Sequence, residues 1–135
     1  MDLDRALRIS AAGMQAQATR LRVVAENLAN ADSTGQSPGA EPYRRKTITF
    51  ANQVDRSLGA RTVRASRVGT DAEAFPQRYD PSHPAADGNG YVKLPNVDPA
   101  VEAMDMREAN GSYSANLAVL ETTRGMLTRT IQALG

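Results

Sequence analysis

The sequence contains no cysteine and no tryptophan, and only 4% of its 135 residues are aromatic. The lack of cysteine excludes a disulfide and a thiolate metal site. Large aromatic side chains bury much of the apolar area in an ordinary globular core. Their scarcity therefore predicts a thin core of alanine, leucine, methionine and valine, which suits long helices that pack against each other or against copies of themselves.

Strong net charge and long apolar runs are missing as well. The formal net charge is +1, which indicates no general attraction to nucleic acid or to a membrane surface. No apolar run approaches the roughly 20 residues that span a bilayer. The first residues, MDLDRALRIS, carry acids at Asp2 and Asp4 and no apolar segment. We therefore expect no cleaved secretory signal, and any export should use another route.

Residues that could carry catalysis or bind a metal are few. Asp32–Gly35, DSTG, is similar to the loops of aspartic proteases, but the chain is too short and has too few predicted strands for such an enzyme. The same stretch follows a helix, whereas a phosphate-binding loop precedes one. His83 is the only histidine, and we expect it in a surface loop. The sequence therefore predicts no catalytic residue, no cofactor and no metal.

The first predicted helix runs from about Leu3 to Ala31. Large apolar residues recur in it every seven positions, and a series of alanines follows them by four. This pattern predicts a heptad seam whose small residues allow a partner helix to approach closely. The two series are Leu7, Met14, Leu21 and Leu28, and Ala11, Ala18 and Ala25.

The second predicted helix runs from about Asp98 to Leu134. Asp98 and Pro99 favour a helix start, because Asp accepts hydrogen bonds from free N–H groups and Pro suits the first helical position. Asn110 and Arg124 fall on the seam; they either lie buried and fix register or face solvent at a wet edge. The heptad series are Met106, Tyr113, Leu120, Leu127 and Leu134, and Ala103, Asn110, Leu117, Arg124 and Ile131.

The segment between the helices differs in composition. Tyr43–Phe50 and Arg61–Val68 alternate in hydrophobicity and predict strands, with a third short strand at Tyr91–Leu94. Phe75–Pro99 contains five prolines and predicts mostly loop. The predicted fold is mainly α, with long N- and C-terminal helices pairing as an antiparallel coiled coil around a small β-containing insert and extended loop. We divide the chain into residues 1–35, 36–96 and 97–135.

Charge is segregated along this insert. Residues 42–70 carry seven basic residues and one acid, whereas residues 71–108 carry eight acids and three bases. A solvated surface is one interpretation. The other is that the basic strand region of one copy faces the acidic arm or helix start of another, in which case salt should weaken assembly.

Both ends of the sequence resemble the flagellar basal-body rod and hook proteins. The N-terminal segment ISAAGMQAQATRLRVVAENLANADSTG carries the family's two N-terminal motifs, and the C-terminal segment from GYVKLPNVDPAVEAM to the end looks like that of a proximal-rod subunit. The short middle also favours a proximal-rod subunit over the longer members. The motif residues are Gly13, Met14, Asn27, Leu28, Ala29, Asn30, Thr34 and Gly35.

The resemblance implies a structural protein of the periplasmic rod and not an enzyme. Members of this family are exported unfolded by the flagellar type III apparatus without a cleaved signal, and their terminal helices form the inner wall of a helical tube. That tube serves as drive shaft and secretion channel. The implied partners are further copies, other proximal-rod proteins, the rod–ring adapter protein and the distal-rod protein. The alternative from another class is a free-standing coiled-coil adapter or binding module.

Two sets of residues are expected to carry the assembly. Asn27 and Asn30 should bond freed carbonyls or a neighbouring helix at the end of the first helix. Gly35 should permit a positive φ that redirects the chain into the insert. The residues expected to pack or to assemble are Leu7, Leu21, Tyr113, Leu117, Leu120, Leu127 and Ile131.

Overall fold

A computed structural model describes residues 2–55 and 59–135 of the chain. The described chain is mainly α, with one long helix at each end and a small antiparallel sheet insert, as the sequence predicts. No helix in the described residues combines the length and the hydrophobicity that a membrane crossing requires. In chain order the elements are α1 (Asp2–Ala29), β1 (Lys46–Asp55), β2 (Ala60–Thr70), β3 (Gln77–Tyr79), β4 (Tyr91–Lys93) and α2 (Pro99–Leu134).

The predicted helices and two of the predicted strands correspond closely to α1, α2, β2 and β4. The first strand begins and ends later than predicted, and β3 was not predicted at all. β1 pairs with β2, and β3 pairs antiparallel with β4, with Arg78 opposite Val92 and Tyr79 opposite Tyr91. α2 begins as expected, because the Asp98 carboxylate accepts a hydrogen bond from Ala100 N at 3.0 Å.

The chain divides into two compact units. Unit 1 comprises Met1–Leu21, Ile48–Arg67 and Met106–Gly135, and unit 2 comprises Arg22–Thr47 and Val68–Asp105. Each helix therefore contributes residues to both units.

The interior of unit 1 is built from small residues. Ala16 and Ala109 are 2% and 0% exposed, and Ser10 and Thr123 are buried with them. Gly13 is also buried, and a Cβ placed on it would lie only 2.9 Å from the Asn116 side-chain nitrogen. Small residues on both helices therefore bring their backbones close together, while they bury little apolar area.

The buried face of α2 differs from the predicted seam. The series that begins at Met106 is half-buried as far as Leu127, whereas Leu134 is 85% exposed. The predicted alternate series is exposed in the single chain: Ala103, Asn110, Leu117, Arg124 and Ile131. For Asn110 and Arg124 this agrees with the solvent-facing alternative. The buried alternate series lies one residue earlier: Glu102, Ala109, Asn116 and Thr123, with Asn116 half-buried. Hydrophobicity does not single out this series, since only one of its members is apolar.

The alanine series of α1 does not form its buried face either. Ala11, Ala18 and Ala25 are exposed, and the buried positions are Ser10, Gly13, Ala16, Val23, Val24 and Asn27. Leu7, Met14, Leu21 and Leu28 are half-buried beside that face.

Unit 2 has a core that is partly apolar and partly polar. Its buried apolar residues are Val23, Val24, Ala85 and Val92, and its buried polar residues include Asn27, Asn96 and Glu102. Buried polar side chains are tolerated when their hydrogen-bonding groups are satisfied.

Candidate functional site

Asn27 is the centre of a hydrogen-bonded cluster in unit 2. It lies in the last turns of α1 and is 1% exposed. Its Oδ1 accepts from the Tyr43 hydroxyl at 2.7 Å and from Lys46 N at 2.9 Å. Its Nδ2 donates to the Lys46 carbonyl at 2.9 Å and to Glu102 Oε2 at 3.4 Å. All four hydrogen bonds available to an amide side chain are thus used, and α1 is tied to the start of β1.

Glu102 joins the same cluster from the first turn of α2. It is 0% exposed, and its second carboxylate oxygen accepts a short hydrogen bond from Arg45 Nε. Arg45 also pairs with Asp71 Oδ2 at 3.3 Å. A buried carboxylate requires such a partner, because leaving either charge alone in the interior is costly. We call Asn27, Tyr43, Arg45, Asn96 and Glu102 the polar cluster.

Asn96 attaches the segment that follows β2 to this cluster. Its Oδ1 accepts from Arg45 N at 2.7 Å, and its Nδ2 donates to the carbonyls of Asp71 and Glu73, each at 3.2 Å. Arg44 donates to the same two carbonyls and places its guanidinium 4.2 Å from the centre of the Phe75 ring. The loop predicted for this region is therefore held by specific polar contacts.

The polar cluster also shifts proton affinities. Burial raises the pKa of the Tyr43 phenol above its ordinary value, and the charges of Glu26 and Glu102 raise it further. Burial disfavours the charged form of Arg45, but its hydrogen bonds and attraction to Glu102 and Asp71 outweigh burial and raise the pKa of its guanidinium. Arg45 therefore remains a fixed positive charge within unit 2.

The chain turns after α1, but the predicted positive φ at Gly35 is wrong. Asn30 Nδ2 donates to the Glu26 carbonyl at 2.9 Å, and Ser33 Oγ donates to Asn30 Oδ1 at 3.0 Å. Gly35 does not adopt a positive φ; Gly39, Gly59 and Gly90 do. A Cβ on Gly35 would lie 2.6 Å from the Cβ of Ala40, so glycine is needed here for close approach of the backbone.

His83 has a structural role in the loop that follows β3. Its Nδ1 accepts from Ala85 N at 3.0 Å, and its Nε2 lies 3.4 Å from Thr34 Oγ1. It is half-buried and not fully on the surface as predicted. Among residues 2–55 and 59–135, no three His, Cys, Asp or Glu side chains form a group that could hold a metal ion.

The basic residues at the start of β1 are occupied within unit 2. Lys46 Nζ pairs with Glu26 at 2.6 Å. Arg44 donates to the Asp71 carbonyl, and Arg45 pairs with the Asp71 carboxylate. These three basic side chains are therefore engaged within the chain.

The expected packing residues separate into two groups. Leu7, Leu21, Tyr113, Leu120 and Leu127 are half-buried, whereas Leu117 and Ile131 are 37% and 62% exposed. Of the motif residues, Asn27 and Gly13 are buried, Met14, Leu28, Asn30, Thr34 and Gly35 are half-buried, and Ala29 is exposed.

Comparison with known proteins agrees with the motifs at both ends. A family model described as flagella basal body rod protein matches residues 7–35, and one described as flagellar basal body rod FlgEFG protein C-terminal matches residues 89–133. The flagellar basal-body rod protein FlgC of Agrobacterium fabrum is 51% identical over 132 residues, which cover 98% of this chain and 95% of that protein. This chain belongs to the FlgC family of flagellar basal-body rod proteins.

More distant FlgC proteins match over nearly the same length. That of Aquifex aeolicus is 42% identical and covers 98% of both chains, and that of Salmonella typhimurium is 41% identical and covers 91% of both. The chain is therefore a structural rod subunit of the flagellar basal body, serving motility, and not an enzyme. Membership in a rod family implies that it assembles with other rod components.

Several members of the polar cluster escaped the sequence analysis. Tyr43, Arg45, Asn96 and Glu102 were not predicted as a set, and their positions are far apart in the sequence. The available signal was the Asn27 motif itself, since the sequence predicts that Asn27 bonds freed carbonyls or a neighbouring helix.

Proposed function

We propose that this chain forms part of the proximal rod, a helical tube that transmits torque and conducts exported flagellar proteins. Its terminal helices pair as an antiparallel coiled coil, and residues 1–35 and 97–135 form the inner rod domain while residues 36–96 form the insert. Within unit 1, Gly13 lies against Asn116 and Arg20 pairs with Glu108 at 3.4 Å. As numbering rises along α1 it falls along α2, which supports the antiparallel pairing.

One observation carries the assembly proposal. The buried residues of unit 1 are small, whereas five of its large apolar residues on α2 are exposed: Leu117 37%, Val119 50%, Met126 49%, Ile131 62% and Leu134 85%. Fully burying one such side chain contributes about 1.5–3 kcal/mol. A subunit that leaves this much unburied gains its stability from neighbours, and a contact between unlike surfaces that does not close gives a helical assembly.

The remaining parts of the proposal follow from family membership. The partners are further copies of the chain, other proximal-rod proteins, the rod–ring adapter protein and the distal-rod protein. The rod lies in the periplasm, and the chain reaches it unfolded through the type III export apparatus without a cleaved signal. The motif residues at and after the end of α1, and the packing residues of both helices, serve this assembly.

Substitution of exposed apolar residues tests the proposal. We expect Leu117→Asp and Ile131→Asp to abolish swimming and to remove the chain from isolated basal bodies, because each places a charge in an apolar subunit contact. The circular dichroism spectrum and urea unfolding of the free chain should not change, since both side chains are exposed. Ser114→Asp, an exposed polar position on the same helix, is the matched control.

The alternative of a free-standing coiled-coil adapter makes a different prediction. Such a module is a fully helical, stably folded dimer at low micromolar concentration by circular dichroism and sedimentation. A rod subunit is instead largely monomeric and gains order at its ends on assembly. Normal rods in both aspartate variants, or a stable isolated dimer, would count against the rod proposal.

A further inference from the structure

The two units carry opposite charge. Unit 1 contains ten basic and five acidic residues and has a formal net charge of +5, whereas unit 2 contains six basic and ten acidic residues and has a net charge of −4. The net charge of +1 for the whole chain conceals this separation. Two copies therefore attract each other when unit 1 of one faces unit 2 of the next.

Unit 1 contains a groove between α1 and β2. Its volume is about 410 Å³, and small or apolar side chains form much of its surface: Ala12, Ala16 and Ala18 from the helix, and Val63 and Ala65 from the strand. Arg64 also lines the groove, and Arg61 and Arg67 are exposed on the same strand. The groove thus offers an apolar surface with a basic border.

Unit 2 presents a surface with the complementary character at the start of α2. Val101 and Met104 are 49% and 69% exposed, and their spacing of three places them on one face of the helix. Asp98 is exposed at the helix start, and Asp105 lies about two turns further along. Two exposed apolar side chains therefore stand between two carboxylates.

We propose that the groove between α1 and β2 of one copy receives the first turns of α2 of a second copy. Val101 and Met104 enter the groove, and Asp98 faces Arg64. The inference rests on the proposed function and names the surfaces through which copies join. The two surfaces lie on different units, so the contact is head-to-tail and leaves a free groove and a free helix start for the next copy.

The other end of α2 fits the groove less well. Ile131 and Leu134 are also exposed, but the last part of the helix carries Arg124 and Arg129 against a single acid, Glu121. Arginines facing the arginines of β2 repel each other. The charge pattern therefore selects the start of α2 as the occupant.

Cysteine cross-linking tests this contact directly, because the chain has no cysteine of its own. Two differently tagged copies, one with Ala65→Cys and the other with Met104→Cys, are co-expressed, and isolated rods are treated with a mild oxidant. We expect the mixed dimer in excess over both homodimers. Its yield should fall when the isolated rods are incubated at about 0.5 M instead of about 0.05 M salt before oxidation, because exposed charges are then screened. Ala65→Cys with Gln77→Cys, an exposed position in unit 2, is the control.

A charge exchange provides the second test. Arg64→Glu should leave roughly tenfold fewer copies in isolated rods, because the new carboxylate repels Asp98; this loss corresponds to about 1.4 kcal/mol per contact. Adding Asp98→Arg should restore most of them, whereas adding Gln77→Arg should not. If rods contain the chain but the cross-linking gives no mixed dimer, or the second substitution gives no rescue, the proposed contact between groove and helix is wrong and the proposed function stands. Absence of the wild-type chain from the rod overturns the proposed function.

Discussion

The Tyr43 hydroxyl donates a hydrogen bond to Asn27 Oδ1 at 2.7 Å, and so joins the segment before β1 to the end of α1. The same oxygen accepts from Lys46 N, and the amide nitrogen of Asn27 donates to the Lys46 carbonyl. Asn27 therefore binds both backbone groups of one residue, as a neighbouring strand could. A side chain that can only donate or only accept cannot replace it.

Replacing Asn27 should destabilise the chain strongly. Asn27→Leu leaves the backbone groups of Lys46 and one side of the Glu102 carboxylate without their partner, and we expect a loss of about 2–4 kcal/mol in the free energy of unfolding. Asn30→Ala removes one bond to a backbone carbonyl and one from the Ser33 hydroxyl at a half-buried site, and should cost about 1 kcal/mol. Urea denaturation followed by circular dichroism measures both. Equal losses in the two variants would contradict the central role of Asn27.

Tyr43 should make the chain less stable in alkali. Its raised pKa means that the folded chain holds the phenol proton more tightly than the unfolded chain does. This contribution is fully present below the ordinary tyrosine pKa of about 10 and is lost as the pH rises through the folded value. Tyr43→Phe loses a hydrogen bond and should be less stable at neutral pH, but its stability should fall less between about pH 9 and pH 11. Parallel alkaline slopes for the two proteins would show that Tyr43 does not carry the effect.

Gly35 should tolerate no side chain, for a reason of space. In Gly35→Ala the new Cβ would lie 2.6 Å from the Cβ of Ala40 and 2.9 Å from its carbonyl oxygen, so the backbone must shift. We expect a loss of about 1–3 kcal/mol in unfolding free energy and impaired rod formation. Gly88→Ala is the matched control, since a Cβ there meets no atom within 4 Å and Gly88 has no positive φ. Thermal unfolding and a swimming assay compare the two variants, and similar effects at both sites would contradict the close-approach argument.

Leu120 and Leu117 should respond differently to the same substitution. Leu120 is half-buried, so Leu120→Asp should lower the free energy of unfolding of the isolated chain by about 2 kcal/mol or more. Leu117 is exposed, so Leu117→Asp should leave that free energy within about 0.5 kcal/mol of wild type. Both should prevent rod assembly. A large loss of stability in the free Leu117 variant would place this residue in the core of the chain.

Much of the fold followed from local patterns. The heptad spacing and the Asp98–Pro99 start located both helices, and alternation located β2 and β4. β3 escaped because two of its three residues, Gln77 and Arg78, are polar and it lies in the proline-rich segment predicted as loop. The buried face of α2 escaped because Glu102, Asn116 and Thr123 are polar, and an analysis that ranks positions by hydrophobicity passes over them.

The polar cluster could be predicted only in part. The motif marked Asn27, but its partners come from Tyr43, Arg45, Asn96 and Glu102, and one sequence without relatives offers no means of pairing such distant residues. The role of Gly35 was also missed, because a glycine after a helix suggests backbone conformation before it suggests crowding by Ala40.

The polar cluster also sets the order in which the chain can fold. Its members span most of the sequence, from Asn27 at the end of α1 to Glu102 at the start of α2. A ribosome delivers the N-terminal end first, so Arg45 and Asn27 emerge long before the carboxylate that completes their contacts. Contacts between distant residues must overcome the entropy of closing a long loop, and they form late. A nascent chain therefore lacks the contacts of Glu102 with Asn27 and Arg45 until α2 has begun to appear.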